Sequence, residues 1–246
     1  MSQDSVTKTI GVATGICLFC SLFVSVAAVK LRPRQVKNQE LDRIRNVLQV
    51  AGLADEEGDP ETIYQERIKP VYVELKTGQT LPEDQFQSAQ VEAIPAEQDL
   101  AGIKFRALQS VVYQRVDGPT MARLILPIHG KGVWSTLYGF LALEEDLQTV
   151  AGITFYEHAE TPGLGGEIDN PNWKRIWEGK QAYDDDGNVV IEVIKGQVDP
   201  ASSNAGRQID GLSGATLTTR GVDNLIQFWL GENGYGPYLK RLREER

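Results

Sequence analysis

An apolar segment near the N-terminus constrains this chain more than any other feature of its sequence. Residues 9–29 contain no charged side chain. As a helix, these 21 residues would measure roughly 31 Å at about 1.5 Å each, which matches a bilayer hydrocarbon core of about 30 Å. The segment therefore predicts one transmembrane helix that anchors the chain in membrane lipid.

A cleaved signal peptide is the competing interpretation of this segment. Val26, Ala27 and Ala28 could serve as a cleavage site. The apolar core of a signal peptide is usually shorter, however, at about 7–15 residues. The length of the segment favours a retained anchor.

The only cysteines, Cys17 and Cys20, lie inside the apolar segment. Their spacing of three residues puts both on one face of the predicted helix. Small apolar side chains facing lipid or a partner helix account for them. An iron–sulfur cluster needs about four thiolates, so this chain could at most share one with another protein of a complex.

Positive charges follow the apolar segment more densely than they precede it. Lys8 lies before it, whereas Lys30, Arg32, Arg34 and Lys37 come after it. The positive-inside rule would therefore place the C-terminal part in the cytoplasm. We divide the chain into an N-terminal tail, a transmembrane helix, a basic juxtamembrane linker and a soluble domain, at residues 1–8, 9–29, 30–37 and 38–246.

Charge and histidine content exclude several functions. The formal net charge is −9, which repels polyphosphate and excludes nucleic acid as a partner. His129 and His158 are the only histidines, so schemes with a histidine base or a histidine-rich metal site are disfavoured. The acidic residues 184–186 lack the alternating ligands of an EF-hand. We predict no metal site.

Residues beyond the anchor predict a mixed α+β domain. Residues 38–50 have a helical apolar stripe that ends near Gly52, and 82–99 form a polar loop. A short helix begins around Pro171, and Val222, Leu225, Ile226 and Trp229 form the stripe of a later helix, about 222–230. β-Branched or alternating segments predict strands at 124–127, 137–143, 149–156 and 189–195. Because helices and strands do not alternate regularly, the fold class is α+β.

The stretch that suggests chemistry is residues 210–221, which contains hydroxyl side chains and small residues and runs into the later helix. Gly214 and Ala215 would let the backbone approach a phosphate closely. Ser213 and Thr216 can donate hydrogen bonds, and a helix N-terminus attracts anions. Arg220 could add positive charge or face solvent.

The same stretch could instead be an ordinary loop whose Thr218 or Thr219 caps the following helix. A nucleotide-binding P-loop is excluded, because no Gly-Lys-Ser/Thr follows a glycine and four residues. A serine hydrolase elbow around Ser213 is disfavoured, because no histidine follows it in the chain. We assign no catalytic residue.

Residues 213–218, Ser-Gly-Ala-Thr-Leu-Thr, resemble the flavinylation signature of the FMN-binding domain family. In that family a flavin transferase that uses FAD esterifies the last threonine with the phosphate of FMN. By position, Thr218 is the implied acceptor of covalent FMN. The resemblance implies that the rest of the signature contacts the cofactor, namely Ser213, Gly214, Ala215, Thr216 and Leu217.

Two further stretches are similar to this family. Residues 160–165 resemble the segment that lies against the flavin, which implies contacts from Thr161, Gly163, Leu164 and Gly165; the alternative is a tight turn built by Pro162 and the two glycines. Residues 130–134 resemble the Gly-Lys-Gly-x-Trp block of the branch formed by the C subunits of sodium-translocating NADH:quinone reductases. Lys131 and Trp134 are further candidates for the site, although the lysine could be solvated and the tryptophan could belong to the core.

The resemblance implies an electron-transfer subunit of a sodium-pumping membrane complex, relaying electrons from NADH to quinone. No Gly-x-Gly-x-x-Gly fingerprint for a nicotinamide cofactor follows a strand, so other subunits would oxidise NADH and bind quinone. The implied location is the bacterial inner membrane with the domain in the periplasm, against the charge count, since large domains translocate regardless of charge. The alternatives are the flavin subunit of a ferredoxin-oxidising (Rnf-type) complex and a non-redox membrane-anchored assembly protein.

Overall fold

The computed structural model describes residues 6–118 and 120–245. The chain forms two compact units, of which the first ends at Arg43 and the second begins at Ile44. The first unit is part of a long helix, and the second holds every strand of the described chain.

The first helix, α1, extends from Val6 to Val50 and includes a stretch long and apolar enough to cross a membrane. Apolar side chains such as Phe19 and Phe23 are exposed along it, as expected for a surface that lipid covers. The segment 30–37, expected as a linker, is helical in the structure, and it continues through Pro33 into 38–50. Good helix formers and the absence of glycine over residues 30–50 outweigh one proline.

The remaining helices are short apart from one. They are α2 (Pro60–Arg67), α3 (Pro171–Arg175), α4 (Thr216–Leu230) and α5 (Gly236–Glu244). The strands are β1 (Ile68–Glu74), β2 (Thr80–Leu81), β3 (Val91–Ala93), β4 (Phe105–Ala107), β5 (Gln109–Asp117), β6 (Thr120–Lys131), β7 (Thr136–Glu144), β8 (Val150–Glu157), β9 (Glu192–Val193) and β10 (Gln208–Ile209). This arrangement of an apolar helix and a sheet-rich domain confirms the α+β fold class.

A six-stranded antiparallel sheet forms the centre of the domain, in the order β2-β1-β5-β6-β7-β8. The longest ladder joins β6 and β7, from Arg123 opposite Glu144 to Lys131 opposite Thr136. Two small sheets accompany it, an antiparallel pair of β3 and β4 and a parallel pair of β9 and β10. The long β6 brings residues 130–132 to one end of the sheet, beside the start of α4.

Both faces of the central sheet are buried, because successive side chains of a strand point to opposite sides. On one face, Leu124 and Leu126 of β6 join the main core together with α4 and α5. On the other face, Ile125 of β6 and Phe140 of β7 pack in a second core with Val47 of α1. The sheet therefore connects the last turns of α1 to the layer that carries α4.

Helix α4 crosses β6 at close range. Its stripe of Val222, Leu225, Ile226 and Trp229 is buried, as predicted. Gly130 of β6 makes this approach possible, because a Cβ there would lie 2.5 Å from the Cβ of Leu225. The indole Nε1–H of Trp229 also donates to the carbonyl of residue 129, at 2.6 Å. These contacts hold α4 against β6.

Several sequence predictions were confirmed and others were wrong. The strands predicted at 124–127 and 137–143 lie in β6 and β7, the one predicted at 149–156 overlaps β8, and the short helix begins at Pro171 with Asn170 as its cap. Only Glu192–Val193 of the fourth predicted strand is a strand, and the predicted loop 82–99 contains β3. Helix α4 begins at Thr216 rather than near residue 222. The prediction missed its first turn because threonines occupy it and no apolar stripe is visible there.

The packing of α4 on the sheet can be tested with Leu225→Ala. Leu225 is fully buried, so its truncation should cost about 2–5 kcal/mol of stability. In a domain of this size, each kcal/mol lowers the melting temperature by about 2–4 °C. Thermal unfolding of the full chain in detergent measures the change.

Leu100→Ala is the matched control, because Leu100 is about half exposed at 52% and its truncation should leave the melting temperature nearly unchanged. Equal effects of the two substitutions would contradict the described packing.

Candidate functional site

Thr218 lies in the first turn of α4, and its side chain is buried with only 1% of the residue exposed. The residue at the N-cap is Ala215, so neither Thr218 nor Thr219 is the cap. Thr219 has a different role, because its Oγ1 accepts the backbone N–H of Leu212 at 3.0 Å. Since an alanine side chain cannot cap a helix, the first N–H groups of α4 lack a side-chain cap at that position.

The hydroxyl of Thr218 donates a hydrogen bond to Oε2 of Glu160 at 2.7 Å. Glu160 is itself buried, with 5% of the residue exposed. The resemblance of the segment 160–165 implied no role for this residue. The sequence carried no local signal for it, because neither its burial nor its contact with Thr218 is visible in the sequence. Only the three-dimensional contact shows what it faces.

Backbone groups hold the carboxylate of Glu160 in place. Its Oε1 accepts the N–H groups of Val133 and Trp134, each at 3.0 Å. The backbone N–H of Glu160 donates to Nδ1 of His158 at 3.2 Å. Nδ1 therefore acts as an acceptor, which leaves Nε2 to donate to Oδ2 of Asp169 at 2.7 Å. Hydrogen bonds thus hold both carboxylate oxygens, Oε1 through two backbone N–H groups and Oε2 through Thr218, while His158 binds the backbone of Glu160.

Two glycines leave the space that this pair of side chains occupies. A Cβ at Gly165 would lie 2.5 Å from Oγ1 of Thr218 and 2.7 Å from Oε2 of Glu160. A Cβ at Gly132 would lie 2.5 Å from Oε1 of Glu160. These distances are too short for any real Cβ. The glycines of the segments 130–134 and 160–165 therefore explain why both segments adjoin Thr218.

A cavity of about 290 Å³ opens above Thr218 and Glu160. Nine of the predicted site residues line it, namely Trp134, Thr161, Leu164, Gly165, Gly214, Ala215, Thr216, Leu217 and Thr218. Three of its apolar side chains are exposed, Trp134 by 73%, Leu164 by 44% and Leu217 by 64%. Trp134 therefore lies at the surface of the cavity and outside the core.

The remaining predicted site residues lie in two neighbouring cavities. Ser213 and Gly163 line a larger cavity of about 800 Å³, which shares Gly214 and Thr216 with the first. Lys131 and Arg220 line a third cavity of about 340 Å³. The start of α4 therefore adjoins one cavity with an apolar rim and a second cavity lined by the cationic side chains Lys131 and Arg220.

Polar groups behind the site continue the network of His158 and Asp169. Lys174 lies 3.7 Å from Oδ1 of Asp169 and donates to Oγ1 of Thr154 at 3.2 Å. Burial lowers the pKa of Lys174 below its usual value, while the Asp169 carboxylate opposes that shift. Burial also lowers the pKa of His129, which stacks on Tyr138 and does not line the cavity over Thr218.

No metal site is evident in the part of the chain that the structure describes, where no group of three or more His, Cys, Asp or Glu side chains could hold an ion. Cys17 and Cys20 are free and exposed on α1. The arrangement at Thr218 offers an alcohol, a fixed carboxylate, a helix N-terminus and an apolar rim. It suits a ligand with a phosphate and a flat ring.

Comparisons with known proteins agree with this arrangement. Residues 132–231 match the family described as FMN-binding domain. The chain is 46% identical over 260 aligned positions to the C subunit of the Na(+)-translocating NADH-quinone reductase of Pseudomonas aeruginosa, covering 99% of this chain and 98% of the relative. It is 44% identical to the corresponding protein of Yersinia pestis, covering 99% and 95%.

Solved structures show the same fold. The crystal structure of Shewanella oneidensis NqrC superimposes with a TM-score of 0.76 at 31% identity and covers 85% of this chain and 99% of that one. The C subunit from Parabacteroides distasonis gives a TM-score of 0.64 at 29% identity, covering 85% and 96%. Similarity of this degree over nearly the whole length shows that the chain belongs to the family of the C subunits of Na(+)-translocating NADH-quinone reductases, with an FMN-binding domain within residues 132–231.

Proposed function

We propose that this chain is the electron-transfer subunit of a sodium-translocating NADH:quinone reductase and carries FMN as a phosphoester on Thr218. One observation supports the proposal above all. The last threonine of the segment 213–218 lies in the first turn of α4 and lines a cavity with an exposed apolar rim.

The residues around Thr218 fit FMN. The phosphate would lie at the N-terminus of α4, where free N–H groups and the helix dipole favour an anion. The isoalloxazine ring would contact Trp134, Leu164 and Leu217, whose apolar surfaces are exposed around the cavity. FMN accepts one or two electrons and can thereby join two-electron donors to one-electron carriers.

Covalent attachment explains how a shallow site could keep its cofactor. The cavity of about 290 Å³ is slightly smaller than the usual range of ligand sites, about 300–1,000 Å³. Non-covalent contacts alone would hold a flavin weakly there. An ester bond raises the effective concentration of the ring at its site to the mM range or above. The ring can then remain near the surface, within reach of partner proteins.

Electron donors and acceptors belong to other subunits in this proposal. The chain has no nicotinamide fingerprint, so it would relay electrons between subunits that oxidise NADH and reduce quinone. Helix α1 would hold it in the bacterial inner membrane with its domain on the periplasmic side. A flavin transferase that consumes FAD would attach the cofactor. The relatives from Pseudomonas aeruginosa and Yersinia pestis favour this complex over a ferredoxin-oxidising one.

Substitutions at the two adjacent threonines test the attachment site. Thr218→Ala should abolish covalent flavin, and Thr218→Ser should retain it because the hydroxyl remains. Thr219→Ala should also retain it, at a stability cost of about 1–3 kcal/mol for the unpaired N–H of Leu212. The readout is the fluorescent band of the full chain on a denaturing gel after expression with the transferase. A flavin band in Thr218→Ala would refute the assignment.

The tight space at Thr218 gives a second test. Gly165→Ala would place a methyl group 2.5 Å from Oγ1 of Thr218, which should cost about 1–3 kcal/mol by overpacking and reduce the flavin content. Gly206→Ala is the control, because a Cβ there would meet no atom within 4 Å. The ratio of flavin to protein absorbance and the melting temperature are measured together. Unchanged values for Gly165→Ala would contradict the described packing.

A measurement of NADH oxidation tests the proposal that this chain only relays electrons. The flavin-loaded full chain in detergent should show a flavin absorbance spectrum and should not oxidise NADH, because it lacks a nicotinamide site. Absorbance at the NADH band, followed with an artificial electron acceptor, measures this. Appreciable NADH oxidation by the purified chain would overturn the relay.

A further inference from the structure

We propose that Glu160 is the proton acceptor when FMN is attached to Thr218. This inference rests on the proposed function, because it concerns the reaction that would load the site. The carboxylate would take the hydroxyl proton of Thr218 while the oxygen attacks the phosphorus of FAD, in an active site completed by the transferase.

The geometry meets the requirement for a general base. Oγ1 of Thr218 and Oε2 of Glu160 are 2.7 Å apart, within the range of about 2.6–3.2 Å needed for proton transfer. An ionised carboxylate can only accept hydrogen bonds, so the proton of Thr218 points at it. This leaves the lone pairs of the hydroxyl oxygen directed elsewhere. Thr218 also lines the cavity of about 290 Å³ from which the phosphate of FAD would approach.

The cost of burying Glu160 suggests a purpose beyond packing. A buried carboxylate loses much of its hydration, and a neutral amide could form similar hydrogen bonds at lower cost. Among the described residues, Glu160 forms no salt bridge that would compensate its charge. Two backbone N–H groups and the hydroxyl of Thr218 stabilise it instead. A charged group held without a cation, against one alcohol, is what proton abstraction needs.

The reaction balances without oxidation or reduction. The O–H bond of Thr218 breaks, and its proton moves to Oε2 of Glu160. A bond forms between Oγ1 and the phosphorus on the flavin side of the FAD pyrophosphate. The bond from that phosphorus to the bridging oxygen breaks, and AMP leaves with this oxygen. Protein kinases use a carboxylate in the same way, to accept the proton of a substrate hydroxyl.

Protonation would also remove a charge conflict in the product. The ester oxygen of a modified Thr218 can no longer donate a hydrogen bond, and the attached phosphate carries a negative charge. An ionised Glu160 beside it would be repelled. A protonated Glu160 is neutral and can donate a hydrogen bond to the ester group. The acceptor of the proton thus becomes a compatible neighbour of the product.

The test uses the full-length chain, purified in detergent from cells that lack the transferase. Purified transferase, FAD and magnesium are then added, and covalent flavin is followed by gel fluorescence at several concentrations of the chain. In Glu160→Gln, kcat for flavin incorporation should fall about 10²–10³-fold, as for loss of a general base. The KM for the chain should stay within about threefold, because the amide preserves the surface that the transferase binds.

Glu157→Gln is the matched control. Glu157 is exposed at the end of β8, three residues before Glu160, so its substitution should leave kcat unchanged. Incorporation by Glu160→Gln at the wild-type kcat would overturn the inference, as would a rise in KM alone, which indicates a structural role. Failure of the wild-type chain to take up flavin would instead overturn the proposed function.

A second variant keeps the test valid if Glu160→Gln does not fold, as judged by its melting temperature. Glu160→Asp retains the carboxylate but withdraws it by one methylene from Thr218. Its kcat should fall at least about tenfold, since proton transfer depends on hydrogen-bond reach. A wild-type kcat for Glu160→Asp would also overturn the inference.

Discussion

The close crossing of α4 over β6 is the contact on which the rest of the site depends. Gly130 allows Leu225 to approach the strand, and this fixes the first turn of α4 beside the end of the sheet. The hydroxyl of Thr218 is then held against the carboxylate of Glu160, which backbone N–H groups after β6 hold in turn. A small cavity with an apolar rim adjoins Thr218, and this arrangement supports the proposed flavin ester.

Much of the fold was predictable from the sequence because hydrophobic periodicity is a local property. The apolar helix, the strands at 124–127, 137–143 and 149–156, and the stripe from Val222 to Trp229 were visible as patterns. The first turn of α4 and the strands β1 and β5 were missed. The first turn of α4 contains threonines and has no apolar stripe, whereas Pro70 in β1 and the polar side chains of β5 interrupt the apolar pattern of those strands. Helix α1 also runs through Pro33, where a linker was expected.

The candidate site was predictable only as far as its motif extends. The resemblance pointed to Thr218 and to most residues that line the cavity. It gave no role to Glu160, because a contact between residues separated by 58 positions leaves no local pattern. Lys131 and Arg220 were named as possible site residues that could equally face solvent, and both line an adjoining cavity in the structure. Tertiary geometry thus divides the candidate residues into separate groups.

Mass spectrometry of the native protein tests the flavin ester most directly. The chain would be purified with its partners from the membrane and digested, and the peptide containing Thr218 would be fragmented. We expect a mass increase equal to FMN minus one water, located on Thr218. A peptide with unmodified Thr218, from a colourless protein, would contradict the proposed attachment.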